Sequence, residues 1–389
     1  MNPEGPELQP QQPEALSAET AREAALTPEP LAPKQKSKLI RALRWTFTGN
    51  QGLRAGWSVL TFLVLFQIIA FAVVLLFTKF HLLKKNAGYT VSPNGAFFLE
   101  LMLFLCLVGA AALMALIERR RILDYNLTGP RRFGHFLGGL AAGFAALSAL
   151  VGAMAWGGWL HFGPVALSGA QIFSYAALWG AVFLLTGLFE EGRFRCYLQY
   201  TLTRGINFWW ALGVIAVICG DSLLRAKGNG VWGVYGIALL GLPPCLLLHM
   251  KKAENSGFWQ AAWVTSTLFG FIHTGNNGEN WIGIFAAAFI GFVFCVSVRV
   301  TGSAWWAIGC HAAWDWAETY FYGTADSGLV ASGHYLTTTT NASASVLWSG
   351  GTDGPEGSLL VIPIILLLLL VVLVLYGRRK PAAQAPMAS

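Results

Sequence analysis

Charge is scarce in this chain. Only 12% of its 389 residues are Asp, Glu, Lys or Arg, against about 25% in a soluble domain. Hydrophobic residues make up 55%, and the mean hydropathy is +0.54. An ordinary soluble globular domain is thereby excluded. Paired cysteines are missing too: Cys106, Cys196, Cys219, Cys245, Cys295 and Cys310 stand singly in apolar segments, with no C-x-x-C among them. They read as small buried hydrophobes, not as a disulfide framework or a zinc knuckle. No basic stripe carries interleaved aromatics, so nothing argues for a nucleic-acid partner. The net charge of +7 is read instead as topology and contact with lipid headgroups. The N-terminal segment lacks the basic start, apolar middle and cleavage site of a signal peptide.

What is present is a series of long apolar runs. A helix that crosses a bilayer needs about 20 such residues, and the sequence predicts spans at 57–78, 96–117, 134–160, 173–203, 206–224, 231–250, 258–273, 281–298, 303–322 and 357–376. Basic residues cluster on alternate loops: before the first span, at Arg119–Arg121 with Arg131–Arg132, at Arg204, at Lys251–Lys252, at Arg299 and at Arg378–Lys380. The positive-inside rule then gives an all-α, polytopic helical transmembrane bundle of about ten spans with both termini cytoplasmic. Lys79, Lys84, Lys85, Arg225 and Lys227 are exceptions, on loops assigned to the outside. Residues 1–37 are Pro-, Glu-, Ala- and Gln-rich and read as a disordered tail. A basic juxtamembrane segment follows over 38–56, then the transmembrane domain over 57–380 and a short tail over 381–389. No internal repeat is evident.

Ionisable residues inside apolar helices are functional candidates when they face the bundle interior and have partners. Three clusters qualify. In "LFEEGRFR", Glu191 and Arg195 are four apart, on one helix face with the glutamate first. Glu190 points about a hundred degrees away, so one glutamate is free to face a cavity while the arginine holds the other. "LFGFIH" ends at His273, before the helix-breaking "TGNNGEN". In "GCHAAWDW", His311 and Asp315 are again four apart. Taken singly, each has a plain structural explanation: an ion-pair knot, a capping histidine, a paired core histidine.

Depth argues that they act together. At 1.5 Å per residue from the expected cytoplasmic ends, Glu190 lies roughly 21 Å in, His273 roughly 24 Å, His311 roughly 15 Å and Asp315 roughly 21 Å. Glu, His, His and Asp from three separate helices thus reach a similar level. A carboxylate with two imidazoles activates water for attack on a carbonyl, with or without a metal. The same set also suits a cation site or a proton relay, although no paired broken helices in matching halves support a transporter.

The order Glu-Glu-x-x-x-Arg (Glu190, Glu191, Arg195), Phe-x-x-x-His (Phe269, His273) and His-x-x-x-Asn/Asp (His311, Asp315) resembles the three-motif pattern of the CPBP family. These are the type II CAAX prenyl endopeptidases and their bacterial Abi-type relatives. The resemblance covers roughly 173–322. The hairpin 206–250 is read as an insertion, because two added spans preserve the orientation of every later helix.

The resemblance implies an intramembrane endopeptidase in a bacterial inner (plasma) membrane. Glu190 would be the general base that activates water, assisted by His273. His311 and Asp315 would stabilise the oxyanion, and Glu191, Arg195 and Phe269 would support the site. An ionised Asp315 cannot donate to an oxyanion as an amide does, so it is assigned to orienting His311 or to a metal. The family's frequent metalloprotease label leaves zinc or another divalent metal on His273, His311 and Glu190 open; a metal-free glutamate mechanism is equally compatible. The implied partners are a peptide or protein substrate, lipid-modified or membrane-associated, and the bilayer itself. A non-catalytic scaffold or immunity-type partner of the same fold is the other reading that stays open.

Overall fold

The computed structural model describes residues 38–49, 52–79, 90–225, 230–276 and 278–377. The tails expected over 1–37 and 381–389 lie outside them. The chain divides into two units, 1–50 and 51–389. Within the first, α1 (Lys38–Phe47) carries Arg44 in its last turn, where a cation meets the negative end of the helix dipole.

The second unit is mostly helical. It contains α2 (Ala55–Lys79), α3 (Pro93–Ile117), α4 (Arg132–Trp156) and α5 (Ala170–Glu191, running on to Thr203). These are followed by α6 (Phe208–Arg225), α7 (Gly230–Met250), α8 (Ser256–His273), α9 (Trp281–Thr301), α10 (Trp305–Asp315) and α11 (Val361–Tyr376). A helix therefore lies at each of the ten expected spans. By length and composition α2, α3, α4, α5 and α9 suffice to cross a membrane, which makes this an integral membrane protein. α6, α7 and α11 hold shorter apolar stretches. The expected 134–160 span stops at Trp156, where Gly157 and Gly158 turn the chain into a strand.

Loops gather at two ends of the bundle. At one end, β1 (Thr90–Val91) pairs in parallel with β3 (Val330–Ala331). Beside it β2 (Leu160–Val165) pairs antiparallel with β4 (Leu336–Thr340), with a bulge between Phe162 and Val165. Asn280 ties down the loop that follows, donating from its amide to Gly350 O at 3.2 Å and Gly357 O at 3.0 Å. Segment 323–360, which holds no Lys or Arg, thus caps this end. At the other end Glu118 pairs with Arg120 at 3.5 Å and Arg204 at 3.7 Å. There the backbone N–H of Ala304 donates to Asn126 O at 2.8 Å.

The central contact is α10 against α4. A Cβ on Gly139 would strike Trp306 O, one on Gly143 would strike Cys310 O, and one on Gly309 would strike Phe136 O. The two backbones touch because these positions have no side chain, as small-residue helix pairs in membranes do. Trp306, Leu147, Leu150, Met154 and Val293 are fully buried around this contact. α2 instead leaves Leu60, Val64, Ile68, Phe71 and Leu75 exposed, as a helix that meets lipid does. The α6–α7 hairpin packs on α8 through Phe208, Ala211, Ile215, Cys245 and Trp263. None of its described residues lines the cavity described next.

Candidate active site

Two of the three motif helices change their winding where the motifs sit. After Glu191, residues Gly192–Leu198 form a π-helical stretch before α-helix resumes at Gln199. After Asp315, Trp316–Tyr322 do the same. Such widened turns are rare and occur frequently at functional sites. Here each lies immediately after a motif carboxylate.

Glu191 and Arg195 are both wholly buried. Their ion pair, Arg195 Nε to Glu191 Oε2, measures 3.2 Å, and Arg195 Nη1 donates to Glu191 Oε1 at 3.4 Å. The guanidinium lies 4.4 Å from the centre of the Phe269 ring and 5.5 Å from that of Phe294, a geometry in which the aromatic faces offset part of its desolvation. Gly291 makes the room, since a Cβ there would meet Arg195 Nη2. Phe269 is therefore the wall against which the charge is held, and its ring also rests 4.9 Å from that of His273.

His311 reaches across from α10. Its Nδ1 lies 2.9 Å from Glu191 Oε1. A carboxylate only accepts, so Nδ1 carries the proton. Nε2 then faces Asp315 Oδ2 at 3.4 Å and Glu190 Oε2 at 3.9 Å. The imidazole stacks on Phe294, ring centres 5.9 Å apart. His273 is fixed in a similar way, with Nδ1 donating to Phe269 O at 2.7 Å. Each imidazole has one nitrogen occupied by an oxygen acceptor, the arrangement that sets a histidine's tautomer for work at the other.

Glu190, His273, His311, Asp315 and Phe269 line one cavity of about 320 Å³. Its remaining wall is mostly apolar, with Trp179, Phe183, Ile290, Phe294 and Trp314. An apolar pocket with a few convergent polar groups is the usual form of a small-substrate or peptide-side-chain site. Glu191 and Arg195 stand behind it.

Other cavity residues were not singled out from the sequence. Glu100 of α3 lines the wall, and its signal was visible as a lone carboxylate inside an apolar run. Asp326, Ser327 and Glu356 reach the cavity from the capping segment. Burial, then Glu356, pushes the Asp326 carboxyl above its usual range. Beside them burial and then Asp353 push Glu279 from 4.5 to about 9. Burial and then Glu356 push Asp353 from 3.8 to about 8.

Among the described residues, the group of three metal-type donors lying within 4.8 Å of one another is Glu318, Asp326 and Glu356. His273, His311 and Glu190 do not form such a group, so as placed they do not fit a three-ligand zinc centre.

A membrane-embedded helical bundle with carboxylates and imidazoles in an internal cavity is the class that the fold and the site define. Residues 245–317 match the family described as Rce1-like type II CAAX prenyl endopeptidases. The match contains His273, His311 and Asp315 and supports the CPBP family resemblance carried by the three motifs; Glu190 and Glu191 precede it. No curated protein and no solved structure matches the chain.

Proposed function

We propose that this protein is an intramembrane endopeptidase that hydrolyses a peptide bond with water activated by Glu190. The observation that carries the reading is the meeting of Glu190, His273 and His311, from α5, α8 and α10, on one cavity of about 320 Å³. Glu190 takes a proton from water as the oxygen attacks the carbonyl carbon. His273 has its Nδ1 proton committed to Phe269 O, so Nε2 accepts from the attacking water and orients it; Glu190 then returns the proton it has taken to the leaving amine as the C–N bond breaks. Well-placed acid and base groups of this kind contribute about 10²–10⁴-fold.

His311 faces the developing negative charge. With Glu191 on Nδ1 and Asp315 against Nε2, the imidazole is held as an imidazolium with a proton on each nitrogen, and Nε2–H turns to the carbonyl oxygen as it becomes an oxyanion. Asp315 serves as the orienting partner of His311 and makes no direct contact with the oxyanion. Loss of one such donor costs about 10²–10³-fold. The apolar wall suits a membrane-borne or lipid-modified peptide. The basic end, with Arg120 and Arg204, faces the cytoplasm of a bacterial inner membrane in a ten-span arrangement, and the 206–250 hairpin is an insertion on the rim of the catalytic core.

Reconstituted protein incubated with a peptide library, wild type beside Glu190→Ala and His273→Ala, tests the reading. Cleavage in wild type, lost in both variants at matched folding, supports it. A folded wild type that cleaves nothing across a broad library returns the fold to a scaffold role.

A further inference from the structure

A second cluster of carboxylates sits where the capping segment meets α10. Glu318 lies in the π-helical continuation of α10, while Asp326 and Glu356 come from opposite ends of the loop. One oxygen of each lies within 4.8 Å of the other two. From Val300 to Gly377 the sequence has no Lys or Arg, so this stretch of chain brings no basic side chain other than histidine to balance them.

Acidic clusters are common, and this one would carry little weight without the state of Glu318. That side chain is wholly buried. Neither of its oxygens accepts a hydrogen bond among the described residues, yet one is directed at the other two carboxylates. A buried carboxylate with no donor is costly, several kcal/mol on the usual scale. Neighbouring Asp353 is also wholly buried, and its Oδ1 accepts no hydrogen bond among the described residues. Meanwhile the partners of Glu318 are held firmly. Trp314 Nε1 donates to Glu356 Oε1 at 2.8 Å, Ser327 Oγ donates to Glu356 Oε2 at 2.8 Å, and Thr319 Oγ1 donates to Asp326 Oδ2 at 2.8 Å. Two carboxylates are thus oriented by neutral donors that leave lone pairs free, and the third faces them without a partner. Such outer contacts are how ligand oxygens are aimed at a metal.

We propose that Glu318, Asp326 and Glu356 bind a hard divalent cation, calcium in preference to magnesium. An all-oxygen, all-carboxylate donor set selects hard cations over zinc. Oxygens within 4.8 Å of one another already fit calcium, whose ligands stand about 2.3–2.6 Å from the metal in a flexible shell, whereas magnesium demands a near-ideal octahedron at about 2.0–2.1 Å that three carboxylates on separate segments are poorly placed to complete. The bound ion ties the two ends of loop 323–356 to the end of the helix that carries His311. Asp326 and Glu356 share a cavity with His311, but the three carboxylates hold the ion without a histidine, and the proposal does not rest on the peptidase reading.

Terbium, a luminescent stand-in for calcium, gives the test, because Trp314 beside Glu356 is positioned to sensitise it. Full-length protein in detergent, stripped with chelator, is titrated with terbium and then competed with calcium, magnesium or zinc. The expected result is saturable luminescence, displaced by calcium at lower concentration than by magnesium. Glu318→Gln and Asp326→Asn, which keep the side-chain shape, weaken terbium binding by about tenfold or more, and Glu190→Gln leaves it unchanged. Calcium also raises the Tm of wild type and not of Glu318→Gln, whose Tm in chelator equals or exceeds that of wild type and so shows that it is folded. Absence of a saturable signal, equal binding in Glu318→Gln and wild type, or a signal lost only in Glu190→Gln would each overturn the proposal.

Discussion

Glu191 Oε1 and His311 Nδ1 lie 2.9 Å apart, although 120 residues separate them along the chain. Through this contact the buried ion pair of α5 sets the proton position on the imidazole of α10. It divides the two adjacent glutamates by task. Glu191 is fully buried and committed to Arg195 and His311, whereas the side chain of Glu190 keeps 23% of its exposure and faces the cavity.

That division predicts opposite outcomes for neighbouring substitutions. Glu191→Gln strands the Arg195 charge in the core and destabilises the fold by about 3–5 kcal/mol. Glu190→Gln leaves thermal unfolding close to wild type while cleavage falls about 10²-fold or more. Unfolding scans beside a cleavage assay read both. Equal Tm losses in the two variants would sink the assignment.

Arg195→Lys is not conservative here. A lysine keeps the charge but loses the second donor to Glu191 and the planar contact with Phe269, 4.4 Å from the guanidinium. The expected outcome is a lowered Tm and lost cleavage, with the Tm falling further when Glu191→Gln is added, since the lysine charge is then buried without its partner. A double-mutant cycle on Tm checks this.

The α4–α10 contact makes a sharp contrast between glycines of one helix. At Gly143 even a methyl group meets Cys310 O, whereas at Gly152 a Cβ meets nothing within 4 Å. Gly143→Ala should cost about 1–3 kcal/mol and displace His311. Gly152→Ala should be neutral or stabilise by up to about 1 kcal/mol through helix propensity. Folded yield and Tm decide it.

Acidity should stabilise the capped end. Glu279 and Asp353 have carboxyls raised from 4.5 to about 9 and from 3.8 to about 8, chiefly by burial. Folding therefore favours their protonated forms. The stability they contribute is whole below about pH 4 and is lost as pH rises through 8 to 9. Tm measured in chelator is expected to fall over that window, and Glu279→Gln, permanently neutral, flattens the slope. A wild-type Tm that climbs with pH across the window would contradict it.

The sequence made the helices and the motif residues legible because both leave local marks. The 173–203 run is helix from Ala170 to Thr203, and four-residue spacing announced both the Glu191–Arg195 and the His311–Asp315 pairs. Contacts made only by tertiary folding left no such mark. Asp326 and Glu356 sit in a Gly- and Ser-rich loop without periodicity, and only the loop's path across α10 brings them to Glu318. The π-helical winding at Gly192–Leu198 has no signature in hydropathy. Gly139 and Gly143 are different: the small-x-x-x-small spacing stood in plain view within an apolar run, and only the partner helix was unknowable.

The widened turns after Glu191 and Asp315 make these two helices sensitive to length as well as to composition. A π-turn bonds each residue to the one five along, where an α-helix uses four. Deleting one residue between Cys196 and Leu198 would leave the hydropathy and the Glu-Glu-x-x-x-Arg spelling intact while turning the π-helical stretch back into α-helix. It would also rotate everything before the deletion by about 100° relative to everything after it. The doublet of glutamates would then aim away from α10 while Arg204 kept its place beside Glu118. In this protein a single-residue gap within either stretch is a more damaging change than most substitutions.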